Sequence, residues 1–182
     1  MTGMSSRSSA LPATVGEVFE LIRSGEAATR SEVGRATGLS RTAVAARIGG
    51  LLASGLVVEA DEGKSSGGRP PARLRFNAGA GVVLAGAIGR SRTQLAVCDL
   101  DGTVLASEDV DQEVGVGPDE LMPRIVEAFG PLLKGADSAG GDVKAVGLSI
   151  PGTVDFEQGA SLDSPIMSGW DGVRLAPYFD GI

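Results

Sequence analysis

The side chains that most often carry out covalent or metal chemistry are nearly missing from this sequence. It has no histidine in 182 residues and a single cysteine, Cys98. No Ser-His-Asp or Cys-His pair, disulfide framework or His/Cys zinc site can therefore be assembled. What the sequence offers instead is arginine set beside small hydroxyls: Ser40, Arg41 and Thr42, then Arg47, and further on Arg69 within Gly67-Gly-Arg-Pro-Pro. A guanidinium fork pairs bidentately with guanine in the major groove, and an extended Arg-Pro flanked by glycine can enter a narrow minor groove. The chemistry these residues suit is recognition of an anionic double helix, with no catalytic residue and no metal or cofactor expected.

The charge distribution supports separate readings of the two halves. Residues 1–76 hold ten Lys/Arg against seven Asp/Glu, and residues 77–182 hold six against sixteen, so a net of +3 precedes a net of −10. A basic module joined to an acidic one is expected, each with its own partner. The hydrophobic fraction of 42% suffices for a core, built mainly from aliphatics because aromatics are only 4%. The first residues lack the apolar run of a signal peptide, and no stretch of about 18 apolar residues occurs, so a cytoplasmic protein without a membrane partner is expected.

The elements that would position the arginines follow from periodicity. A disordered tail is expected over 1–13. Helical spacing of Val15, Val18, Phe19 and Ile22, with Thr14 and Glu17 forming a capping box, predicts a helix over 14–24. A short helix over 31–37 ends at Gly38, which can take positive φ. Ser40 then caps a third helix over 41–54 whose inner stripe is Val44, Ile48, Leu51 and Leu52, leaving Arg41, Thr42, Ala45 and Arg47 on the other face. Two alternating runs, 56–60 and 73–77, predict a hairpin whose tip is the Gly, Ser and Pro-rich stretch around Arg69. Arg73 and Arg75 read more simply as outward strand charges.

The set Thr29-Arg-Ser-Glu-Val-Gly-Arg-Ala-Thr-Gly-Leu-Ser-Arg-Thr-Ala-Val, Leu51-Leu-Ala-Ser-Gly-Leu-Val and Gly67-Gly-Arg-Pro-Pro-Ala resembles the DNA-binding end of ROK-family transcriptional regulators. These join a winged helix-turn-helix, here 14–77, to a sugar-kinase-like domain. The resemblance implies major-groove and backbone contacts from Ser40, Arg41, Thr42 and Arg47, and minor-groove contact from Arg69.

In the second half, apolar runs predict strands over 82–88, 93–99, from 103, and over 143–150, with a helix over 121–133 between the last two. Pro123 and Pro131 predict a kink or a short helix there, since an interior proline costs about 3 kcal/mol. The order β-β-β-α-β, with Ser149-Ile-Pro-Gly-Thr-Val-Asp and Ser164-Pro-Ile-Met-Ser-Gly-Trp-Asp-Gly-Val-Arg-Leu, resembles the N-terminal lobe of the ROK sugar-kinase domain, here 78–182. That resemblance implies an α+β or α/β chain: a winged helix-turn-helix followed by one lobe of an actin-like (ribonuclease H-like) ATPase fold.

The departures from the family pattern carry their own expectations. Ala87-Ile-Gly-Arg-Ser stands where ROK kinases carry an Asp and an Ile-Gly-Gly-Thr phosphate turn. The sequence also ends before the family's catalytic base, sugar-contacting residues and zinc-binding cysteines, as a truncated member would. The resemblance implies a regulator that represses carbohydrate uptake or metabolism genes, binds double-stranded DNA as a homodimer on half-sites about 34–36 Å apart, and answers a sugar or sugar-phosphate. Trp170 and Asp171 are candidates for the sugar, Trp170 by stacking its indole or, more simply, as packing. The competing readings are a carbohydrate-kinase fragment, which Ala87 opposes, and a non-functional remnant.

Overall fold

The computed structural model describes residues 13–60, 72–136, 142–162 and 167–182. The chain divides into two compact units, Met1–Asn77 and Ala78–Ile182. Among the described residues, no helix is long and apolar enough to cross a membrane.

The first unit holds α1 (Val15–Arg23), α2 (Arg30–Thr37), α3 (Arg41–Ala53), β1 (Val57–Ala60) and β2 (Arg73–Phe76). Each helix begins where a side chain satisfies its free amides. Thr14 accepts from the Glu17 amide while Glu17 accepts from the Thr14 amide at 2.6 Å. Thr29 caps α2, with Glu32 reaching back to the Ala28 amide. Gly38 ends α2 at φ +70, a conformation that costs glycine little. Val18 and Ile22, Val33, and Val44, Ile48 and Leu51 face inward from the three helices onto Val57 and Leu74. Fully burying each such side chain stabilises the fold by about 1.5–3 kcal/mol. The strands pair antiparallel, with Val58 opposite Arg75 and Ala60 opposite Arg73. Leu74 also donates its amide to Ala28 at 2.7 Å, fastening the hairpin to the turn before α2.

The second unit is a four-stranded sheet ordered β5-β4-β3-β6, made of β3 (Val82–Ile88), β4 (Arg92–Asp99), β5 (Val104–Asp111) and β6 (Val143–Ser149). Pairing is antiparallel except between β3 and β6, which run parallel because α4 (Pro118–Gly135) carries the chain across. Leu121, Met122, Ile125, Phe129 and Leu132 of α4 pack on Val82, Leu84, Ile88, Leu95 and Val97. Within the apolar run 82–88 only alternate residues are fully buried, and Ala87 is exposed. At the outer edge, β5 exposes Val104 and Leu105 at one end and Glu108, Asp109 and Asp111 at the other.

Two expectations are corrected here. The helix over 121–133 is neither short nor broken at its prolines: it runs eighteen residues, Pro118–Gly135. It starts three residues earlier than expected, at a proline suited to the first turn. Pro123 and Pro131 both lie on its exposed side, where a carbonyl without a helix amide can bond water instead. The chain after β6 also forms a small hairpin, β7 (Thr153–Asp155) and β8 (Ala160–Leu162), which was not expected.

Candidate nucleic-acid interface and ligand loop

The turn between α2 and α3 is built from the sequence 37–40. The Thr37 hydroxyl donates to the Val33 carbonyl at 2.7 Å and accepts from the Leu39 amide at 3.3 Å, while Gly38 donates to Gly34 at 3.0 Å. Ser40 caps α3 by accepting from the Ala43 amide at 3.3 Å. The first turns of α3 therefore project from a fixed corner.

Past Arg41, the solvent side of α3 is made of Thr42, Ala45, Ala46, Gly49, Gly50 and Ala53, none larger than threonine. A β-carbon added at Gly49 or Gly50 would meet nothing within 4 Å. No contact among the described residues explains these glycines, although each costs the helix roughly 1 kcal/mol relative to alanine. Arg41 is exposed at the helix start, beside a cleft of about 490 Å³ that Arg30, Ser31, Gly34 and Leu39 also line. Arg30, which the sequence reading did not single out, reaches Glu59 of β1 at 2.6 Å. The residue-31 start expected for α2 hid its position at the helix head.

Arg47 stands differently from Arg41. It is half-buried, its Nε donates to the Ala13 carbonyl at 2.7 Å and its Nη1 to Ala43 at 3.4 Å. Arg47, expected among the DNA-contacting residues, is here bonded to the chain's own backbone. Arg69 lies outside the described residues, and so does most of the hairpin tip that would carry it.

In the second unit, the tryptophan of the Gly-Trp loop points inward. Trp170 is fully buried in the core around α4, and its Nε1 donates to the Val116 carbonyl at 3.0 Å. Of the two roles weighed for it, this geometry gives it packing. Its loop is fastened to β8: Ser161 Oγ bonds the Trp170 carbonyl, and the Gly172 amide reaches Ser161 at 2.8 Å. Asp171 is exposed beside it. Asp155 acts as a turn cap, accepting from the Glu157 and Gln158 amides at 2.9 and 3.1 Å.

The Gly89-Arg-Ser turn between β3 and β4 is closed from within. Gly89 donates to Arg92 at 2.9 Å and leaves no room for a β-carbon, which would meet that carbonyl at 2.8 Å. Behind it Gln112 donates to the Gly89 carbonyl at 2.8 Å and accepts from buried Thr93 at 2.6 Å. Ala87, next to this turn, pairs with Gln94 and Ser149 and supplies no carboxylate.

No family model matches the chain. It is 24% identical over 158 residues to the xylose repressor of Caldicellulosiruptor bescii, covering 87% of this chain and 39% of that protein. To the xylose repressor of Bacillus spizizenii it is 25% identical over 130 residues, covering 71% and 34%. A solved ROK family transcriptional regulator, described as a homolog of the E. coli MLC protein, superposes with a TM-score of 0.74 at 22% identity, over 90% of this chain and 41% of that one. The chain thus spans between about a third and two fifths of the length of these relatives. In sequence the chain is similar to part of these xylose repressors, and in fold it is similar to about two fifths of the solved ROK family transcriptional regulator.

Proposed function

We propose that the chain is a DNA-binding transcriptional regulator, a repressor of carbohydrate uptake or metabolism genes, acting in the cytoplasm. The observation that carries the reading is α3: a helix capped by Ser40, flanked by Arg41, and bare of bulk along Thr42, Ala45, Ala46, Gly49 and Gly50. Such a face fits deep in a major groove, where Ser40, Arg41 and Thr42 reach base edges and phosphates. The unit over 14–77 is then a winged helix-turn-helix, with β1 and β2 as the base of the wing and Arg69 as its minor-groove contact.

The unit over 78–182 is read as one lobe of an actin-like (ribonuclease H-like) sugar-kinase fold turned to regulation. It has no enzymatic role in this reading, since Ala87 supplies no acidic group and the β3–β4 turn is occupied by Gln112. Its effector is a sugar or sugar-phosphate, for which Asp171 remains a candidate contact. Control by that effector requires different affinities in two states of the regulator. Operator binding is by a homodimer. The names of the curated relatives, xylose repressors, support this class of target.

The test is selection of the intact chain against a random DNA library at two salt concentrations. An enriched two-fold-symmetric motif that persists at the higher salt is expected. Retention that is weak, salt-labile and without a motif would remove the reading, because it would leave only the nonspecific phosphate term.

A further inference from the structure

We propose that Arg47 is a positioning residue for DNA binding: it pins the residue leading into α1 to the middle of α3, and it contacts neither base nor phosphate. The proposal rests on the DNA-binding reading of α3 given above.

The geometry is specific to a planar fork. Nε reaches the Ala13 carbonyl at 2.7 Å across 34 residues of sequence, and Nη1 reaches Ala43 one turn back on the same helix at 3.4 Å. Ala13 immediately precedes Thr14, the residue whose capping box with Glu17 starts α1. Arg47 therefore ties the capped end of α1 to α3, outside the apolar contacts that Val18 and Ile22 make with Val44 and Ile48. On a helix turning about 100° per residue, Arg47 stands about 60° from Val44, on the flank of the buried stripe, whereas Thr42 points about 160° away. A group bridging two elements from that flank fixes the tilt of α3 on its support. Hydrogen bonds from a charged donor are the stronger kind, and the guanidinium loses little freedom in forming them. A lysine ammonium keeps the charge without reproducing the fork.

The experiment compares the full chain with Arg47→Lys and Arg47→Ala. Hydrogen exchange of the Glu17 and Val18 amides is measured in the free protein. Affinity for the enriched motif is measured across salt, together with a panel of single-base variants. The expected result is faster exchange in both variants and a loss of affinity of about tenfold in each, the scale of one or two lost charged hydrogen bonds. Salt slope and base preference stay as in the parent. Rescue by lysine, with the alanine variant's slope shallower by about one, would make Arg47 a phosphate contact and overturn the proposal. Relaxed preference at one base pair, or exchange unchanged from the parent, would overturn it as well. If the parent chain enriches no motif, the DNA-binding reading fails by itself, and the exchange comparison still decides whether Arg47 holds Ala13.

Discussion

Trp170 and Val116 are joined across 54 residues of sequence by a hydrogen bond of 3.0 Å from the indole Nε1 to the backbone carbonyl. The bond ties the loop after β8 to the segment that leads into α4, and the ring fills the core there. Trp170→Phe keeps most of the apolar surface but leaves the Val116 carbonyl without its donor, so a loss of about 1–3 kcal/mol is expected. Trp170→Ala should cost about 3–5 kcal/mol. Because this is the chain's single tryptophan, unfolding in urea should be followed by circular dichroism; a phenylalanine variant as stable as the parent would show that the bond contributes nothing net.

Arg41 is exposed at the head of α3, so its removal should leave stability nearly unchanged. Arg41→Ala should cost about 1–3 kcal/mol of binding on the preferred site and relax one base position if it reads guanine. Competition binding against single-base variants measures both effects. A uniform loss with an unchanged profile would assign Arg41 to the phosphates.

Gly49 and Gly50 set stability against binding. A β-carbon has open space at both positions, and alanine favours an exposed helix over glycine by about 1 kcal/mol each. The double alanine variant should therefore melt at a higher temperature and bind operator DNA more weakly, because the added methyls keep the helix from the groove floor. Equal binding would show that α3 never approaches closely along this stretch.

Acid should loosen the helical unit through its capping carboxylates. Glu17 is held below the ordinary glutamate value of 4.5 chiefly by the Thr14 amide, Glu32 chiefly by the Ala28 amide, and Glu20 chiefly by Arg23. A carboxylate favoured in the folded state contributes stability that is fully present above its unfolded pKa and is lost as pH falls through its folded value. Melting temperature should thus be flat from neutral pH down to about 4.5 and drop below it. Glu17→Gln should flatten part of that drop, by a small amount because the groups are exposed. Coincident curves for parent and variant would assign the drop to other groups.

Local signals accounted for most of the elements. Thr14 with Glu17, Gly38 and Ser40 marked helix ends because capping is decided within four residues. The alternation in 56–60 and 73–77 gave the hairpin pairing. Contacts that span the chain left no such trace: nothing within four residues of Arg47 points to Ala13, and nothing near Trp170 points to Val116. The β7–β8 hairpin escaped because three-residue strands show too little alternation to read. The full length of α4 leaves no local trace, because whether an interior proline breaks a helix depends on whether it faces water, and both Pro123 and Pro131 are exposed. Among the candidate site residues, Ser40, Arg41 and Thr42 lie together at the start of α3, while Arg47 and Trp170 proved to be bonded inward.

The composition of β5 bears on how copies of the protein can associate. An edge strand offers unpaired amides and carbonyls to any similar strand, and Val104 and Leu105 would make that pairing adhesive. Glu108, Asp109 and Asp111 oppose it: two such edges paired in parallel would crowd six carboxylates, and paired antiparallel would set each apolar end against an acidic one, while the nearby Arg92 is already shared between Asp109 and Asp111. This acidic end thus guards the sheet against joining its own copy into fibres, and the like-charge part of the guard weakens in strong salt.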